Sequence, residues 1–569
     1  MRDPFFGLAR ALSWRMVLLV RDWLHDLLLF FFFFFFFERA TSGCTPFPFR
    51  DLRAFAMATA TKNTTAQNDA MPNTVFSPGR HFINGAWQQA TGAVIENRNP
   101  ARANELLGVY PAGTAAEVDA AVAAARTAFP TWRRTSRIKR GDLFDNLAQL
   151  IKRDVDELAA VLARESGKLL DEARAEVIEG LHMVQYVFGT ARQSTGQVIA
   201  SEIEAKDLYE RRKPRGVVAV ITPWNFPFAV PLWMLAPSLL EGNTTVFKPS
   251  EETPEIGQRL VALFAEAGFP AGTINLVHGD GSGVGEPLAR HAEVDVVAFT
   301  GSYEVGAKIR RWAAESDHKT CACEMGSKSA VIVCEDADLE LASAAALLSA
   351  FKTAGQRCVS AGRVLVHRNR LGDFVDRFVP RAKQVRFGDP FDAGSFAGPL
   401  INAAAVEKVE MYNELARREG AQILLEAGRL GGALADGHFL TPCVYLQEHR
   451  PGVRTIREEV FGPHLAIIPF DSDVEAIAIY NDTPYGLSMA VITEDYRRWR
   501  VYRDECDYGM GYVNLPCIGA EVHLPFGGVK RSGNGQPSAA ALVDAVTHRT
   551  AFTVNHDRTI RMAQGMKAE

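Results

Sequence analysis

Between residues 216 and 325 the chain alternates short apolar, β-branched runs with amphipathic stretches, and this alternation restricts the fold more than any other feature. "GVVAVI", "TTVFK", "GTINLV", "VDVVAFTG" and "KTCACEMG" read as strands. Between them "PLWMLAPSLLEGN", "PEIGQRLVALFAEAG", "VGEPLARH" and "YEVGAKIRRWAAES" read as helices. The second helix begins with Pro254 and stops at Gly268, the expected asymmetry of helix ends. Apolar strands joined by amphipathic helices require a parallel sheet covered on both faces. Upstream, "HFINGAW" reads as a small strand and turn, and "AAEVDAAVAAARTAFPTW" as a helix expected to stop at Pro130. Two or three further helices follow, to Val184. Downstream, "SAVIVCEDADLELASAAALLSAF", "RVLVHR", "LGDFVDRFVPRAKQV" and "GYVNL" repeat the alternation, so a second α/β unit is expected to face the first across a cleft.

In such sheets ligands bind beyond the carboxyl ends of the strands. The residues there are Pro223-Trp224-Asn225, Lys248 to Glu251, Gly279 to Gly285, Thr300-Gly301-Ser302 and Glu324. "GDGSGVGEP" is glycine-rich but matches G-x-G-x-x-G in no register, so the ordinary dinucleotide fingerprint is absent.

A chain of 569 residues with a net charge of −5 and no basic tail or aromatic-interleaved basic stripe gives no footprint for nucleic acid. Its 8 cysteines show no paired C-x-x-C spacing, which argues against a zinc site or a disulfide framework and for a reducing, cytoplasmic compartment. Cys321 and Cys323 form a C-x-C on an expected strand, where packing is the simpler role than a metal. Residues 1–75 stand apart. They contain an unbroken phenylalanine tract from Phe30 to Phe37, too short for the roughly 20 apolar residues of a membrane span and preceded by Asp22, His25 and Asp26. They are expected to be a disordered or mis-translated leader, with the working protein starting near Met57 or Met71; a targeting leader, which would place the protein in mitochondria, is the alternative.

Cys358, in "KTAGQRCVSAG", is by itself ambiguous, because most intracellular cysteines are inert packing residues. The surrounding motifs decide. "PWNFP", "KPSEETP", "FTGSYEVG", "EMGSKS", "GQRC", "EEVFGP" and "PFGGVKRSG", in that order from about Phe82 to Val554, resemble the aldehyde dehydrogenase superfamily. The resemblance implies two Rossmann-like parallel-sheet domains plus a small β oligomerisation domain. Residues 76–195 and 215–325 would bind NAD, 326–530 would carry the catalytic domain, and 196–214 with 538–556 would form the oligomerisation segments of a homodimer or homotetramer.

The implied chemistry suits the residues. An aldehyde has no good leaving group except hydride, so its oxidation needs a nucleophile and an acceptor; Cys358 is the nucleophile by resemblance. Asn225 and the backbone N–H of Cys358 would stabilise the oxyanion, and Glu324 would activate the water that hydrolyses the thioester. For NAD, Lys248 and Glu251 resemble the pair holding the adenosine ribose, with Trp224 beside them. Gly301 and Ser302 open the helix that faces the pyrophosphate, and Glu459 and Phe461 match the contacts to the nicotinamide ribose and ring. A carboxylate at Glu251 would repel a 2′-phosphate, favouring NAD over NADP.

"NLPCIGAEVHLPFGG" resembles the semialdehyde-oxidising branch that includes antiquitin, and "PWNFPFA" looks more like pyrroline-5-carboxylate dehydrogenases. Arg357, Gly519 and Ala520 match the residues that hold the substrate's distal end in the former, whereas Ile518 stands where that branch has serine. A guanidinium pairs with a carboxylate through two parallel hydrogen bonds, so a carboxylate-bearing semialdehyde is expected. Ser327 replaces a glycine of the family pattern, adding bulk near the cofactor path. A broad-specificity aliphatic or aromatic aldehyde dehydrogenase, or a silent binding protein on the same scaffold, are the alternatives.

Overall fold

The computed structural model describes residues 76–89 and 92–562; the expected leader lies outside them. Two seven-stranded sheets form the body. In the first, the order is Thr320–Met325, Val296–Gly301, Val217–Ile221, Thr244–Lys248, Ile274–Leu276, Arg80–Ile83 and Ala86–Gln89. The five strands from Thr320–Met325 to Ile274–Leu276 are parallel, and the Arg80–Ile83/Ala86–Gln89 hairpin closes the edge antiparallel. Val217–Ile221 and Thr244–Lys248 are buried at every position, which is why they read as unbroken apolar runs rather than alternating ones. The chain fills one side of Val217–Ile221 first and then returns to the other, so the order reverses between that strand and Val296–Gly301. This switch point opens a crevice at the carboxyl ends.

The second sheet runs Gln422–Leu425, Cys443–Leu446, His464–Phe470, Ala361–His367, Ser329–Val333, Ser488–Ile492 and Met510–Val513, parallel except for its first strand. A third, antiparallel sheet joins Gly196–Ile199, Lys206–Pro214 and Thr547–Asn555. The last of these pairs with Lys206–Pro214 from Thr547↔Pro214 to Asn555↔Lys206. The helix expected to stop at Pro130 continues to Trp132. Proline costs one backbone bond and a steric clash with the preceding turn, and here it falls in the final turn, where Arg133 N still reaches Phe129 O at 2.9 Å. Among the described residues no helix is long and apolar enough to cross a membrane, and no group of three or more His, Cys, Asp or Glu could hold a metal.

Candidate active site

One cavity lies at the switch point, and the structure brings most of the expected residues to it. Trp224, Asn225, Gly301, Ser302, Arg357, Cys358, Glu459, Phe461, Gly519 and Ala520 all line it. Trp224 and Asn225 follow Val217–Ile221, Gly301 ends the neighbouring strand Val296–Gly301, and Ser302 follows it. Cys358 enters from the other half, on the turn after the helix Leu339–Phe351.

The Cys358 thiol is half-buried. Burial, then the carboxylates of Glu459 and Glu324, push its pKa up to about 12, while the N–H groups of Val359 and of Cys358 itself pull it down. Asn225 is buried; its Nδ2 donates to Gln356 O at 2.9 Å, and its own carbonyl accepts from Lys168 Nζ at 2.7 Å. An amide nitrogen has two hydrogens, so one remains for a ligand in the cavity. Lys168 is buried against Glu176, whose other oxygen accepts from Phe228 N at 2.8 Å and Ala229 N at 3.2 Å. That carboxylate satisfies the first amides of the helix Ala229–Leu240, which follows Asn225 directly.

Glu324 is buried and is not among the residues that line the cavity. Its Oε2 accepts from Gly528 N at 3.2 Å, and burial raises its pKa well above the usual carboxylate range. Glu459 accepts from Ser327 N at 2.8 Å, and burial pushes its pKa to about 7. A Cβ at Gly326 would lie 1.9 Å from Glu459 Oε2, so that close approach requires glycine. Ser327, expected to add bulk by the cofactor path, turns its hydroxyl to Ser329 Oγ at 2.9 Å and does not line the cavity. Phe461 takes a left-handed backbone, φ 64°, and meets the Trp224 ring edge-on at 5.6 Å.

Lys248 and Glu251 lie outside this wall, at the end of the adjacent strand. Lys248 Nζ donates to Gly279 O at 2.8 Å, Pro249 O at 2.9 Å and Glu251 Oε2 at 3.1 Å, while the Glu251 side chain stays 41% exposed. Arg357 lines the cavity but already has partners: Nε donates to Thr353 Oγ1 at 2.9 Å, Nη2 lies 3.4 Å from Glu172 Oε1, and the guanidinium sits over Phe226 at 5.2 Å. Gly519 takes φ 124° and its carbonyl accepts from Tyr512 Oη at 2.6 Å.

Sequence reasoning missed Glu179, which also lines the cavity. Burial first, then Glu176, push its pKa to about 7, against the pull of Arg357 and Lys168. The signal was present: Glu172, Glu176 and Glu179 fall at i, i+4 and i+7 on the helix Leu170–Thr190, placing three carboxylates on one face. Trp233 and Val230, which with Phe526 give the cavity its apolar wall, were hidden inside an ordinary hydrophobic run, whereas Phe526 stands in the "PFGGVKRSG" motif without a role assigned to it.

The aldehyde dehydrogenase family model matches residues 87–552. The chain is 38% identical over 457 residues to the alpha-ketoglutaric semialdehyde dehydrogenase of Bacillus subtilis (strain 168), covering 80% of this chain and 93% of that protein. It superposes on PnpE in complex with nicotinamide adenine dinucleotide with a TM-score of 0.81 at 36% identity, over 85% of this chain and 99% of the other. Betaine aldehyde dehydrogenase from Staphylococcus aureus in complex with NAD+ gives a TM-score of 0.82 at 32% identity, over 87% of this chain and 98% of the other.

Proposed function

The chain belongs to the aldehyde dehydrogenase family, and from that premise we propose that it oxidises a carboxylate-bearing semialdehyde to the acid, with Cys358 as the nucleophile. The observation that carries this reading is the meeting of Cys358, Asn225 and Arg357 in one cavity at the switch point. The similarity to an alpha-ketoglutaric semialdehyde dehydrogenase supports the substrate class.

NAD is the cofactor, and the donor set fits it. The half-exposed Glu251 carboxylate presents an acceptor to ribose hydroxyls, and Lys248, whose three hydrogens are taken by Gly279 O, Pro249 O and Glu251 Oε2, holds it in place. Ser302 caps the helix Tyr303–Ala314, whose first amides face the cavity end of the strand and favour phosphate. When bound, NAD supplies an acceptor for the hydride that the aldehyde carbon must lose.

The chain supplies the rest. Cys358, once its S–H proton has passed to solvent, attacks the aldehyde carbon as the thiolate, and the free Asn225 N–H meets the oxygen as it gains charge; removing such a donor typically costs about 10²–10³ in rate. Loss of hydride from that adduct leaves a thioester on Sγ. Glu324, whose burial makes it a stronger base than an exposed carboxylate, takes a proton from the water that hydrolyses it. Arg357 turns its remaining N–H groups to the distal carboxylate, while Phe226, Val230, Trp233 and Phe526 exclude water around the aldehyde. The apolar wall, with Arg357 already engaged by Glu172, favours broad specificity for aliphatic or aromatic aldehydes as the second reading.

A panel of semialdehydes of glutarate, aminoadipate, succinate and alpha-ketoglutarate, run beside aliphatic and aromatic aldehydes at saturating NAD, separates the two. Equal kcat/KM across the panel removes the carboxylate anchor.

A further inference from the structure

The turn that carries Cys358 is held in an unfavourable conformation. Thr353 and Ala354 both have φ 53° and Gly355 has φ 72°, so three successive residues take the left-handed region. Glycine does so freely; alanine and above all a β-branched threonine do not. Such a backbone persists only when its surroundings over-determine it.

Two features do so. On one side, a Cβ at Gly355 would lie 2.4 Å from Gly462 O, which places the turn against the backbone that follows Phe461. On the other stands Glu172. Its Oε1 accepts from Thr353 N at 3.0 Å and from Thr353 Oγ1 at 3.0 Å, and lies 3.4 Å from Arg357 Nη2. Thr353 Oγ1 in turn accepts from Arg357 Nε at 2.9 Å. The Glu172 side chain is 9% exposed, and its Oε2 is buried without a partner. A buried carboxylate oxygen with no donor is costly, and the structure tolerates it to keep Oε1 on Thr353.

We propose that Glu172 is a positioning residue for the oxidation: through Thr353 it fixes the left-handed turn and so sets where Cys358 Sγ meets the aldehyde carbon. The inference rests on Cys358 being the nucleophile. Glu172 itself touches neither substrate nor cofactor; it acts through the backbone four residues before Arg357. A displacement of about 1 Å at a reacting centre costs on the order of 10²-fold in rate.

The test measures kcat and KM of the full chain for a neutral aliphatic aldehyde, so that the outcome does not depend on Arg357 binding a carboxylate. Glu172→Ala is expected to lower kcat about 10²-fold with KM for NAD unchanged. Glu172→Gln, which still accepts from both Thr353 donors, recovers most of that loss. Adding Thr353→Val to Glu172→Ala costs nothing further, because the hydroxyl it removes acts through the carboxylate already lost. A kcat for Glu172→Ala close to that of the unaltered protein overturns the proposal, as does Glu172→Gln being as impaired as Glu172→Ala, or the double variant losing the product of the two effects. If Glu172→Ala does not fold, Thr353→Val decides, and an unchanged kcat there overturns it. Cys358→Ser is run alongside: full activity in that variant defeats the nucleophile assignment and this inference with it, whereas an inactive Cys358→Ser beside a fully active Glu172→Ala defeats this inference alone.

Discussion

Asn225 Nδ2 lies 2.9 Å from Gln356 O, so the loop that ends a central strand of one sheet is bonded to the turn that carries Cys358 in the other half. The proposed oxyanion donor and the proposed nucleophile are therefore placed by one contact. Asn225→Ala is expected to reduce kcat by about 10²–10³ while leaving KM for NAD unchanged, as read by steady-state NADH formation.

The raised thiol of Cys358 gives a pH signature. With its pKa near 12, pushed up first by burial, the reactive thiolate is the minor form at neutral pH. Alkylation of the NAD-free protein by iodoacetamide is expected to speed up about tenfold per pH unit between roughly pH 7 and 10. A rate that levels off below pH 9 would mean that a base beside Sγ already holds the proton.

Glu179 titrates near 7 inside the cavity, its pKa raised chiefly by burial. It is neutral well below that pH and anionic above it, and the anion would repel the carboxylate proposed to pair with the neighbouring Arg357. For a carboxylate-bearing aldehyde, KM is expected to climb as pH passes upward through 7. Glu179→Gln flattens the climb, and a neutral aldehyde shows neither effect.

Glu251 is the proposed determinant of dinucleotide choice. Removing its half-exposed carboxylate in Glu251→Ser takes away the repulsion of a 2′-phosphate and frees Lys248, whose Nζ lies 3.1 Å from it. The NADP-to-NAD ratio of kcat/KM is expected to rise at least about tenfold, the equivalent of ~1.4 kcal/mol.

Lys168 and Glu176 form a buried ion pair, 2% and 1% exposed. Lys168→Met strands the Glu176 carboxylate and is expected to cost about 3–5 kcal/mol of stability, measured from the denaturant midpoint with an unchanged slope. It also releases the Asn225 carbonyl, so residual activity falls further than the loss of folded protein explains.

The parallel sheets were legible because burial on both faces leaves a continuous apolar run in place of an alternating one: Val217–Ile221 is apolar at every position and lies between amphipathic segments, as a parallel sheet covered on both faces requires. Cys358, Asn225 and Glu459 were legible through motifs that sit at strand and helix ends. Glu172, Glu176 and Glu179 share one helix face by spacing, but that signal does not point to a cavity, since carboxylates on a helix read as a solvated face until the packing partner is known. Arg357 was legible as a cavity residue but not as one already bonded to Thr353, because the left-handed turn between them leaves no mark in the sequence when its first two positions are threonine and alanine. Glycine or asparagine would have announced it.

That same turn bears on any effort to toughen the molecule. Exchanging Thr353 for glycine would relieve an awkward backbone and look attractive in a thermal screen, yet it would cut the hydroxyl tether to Glu172 and let the sulfur wander. Durability and turnover are set against each other at a single side chain.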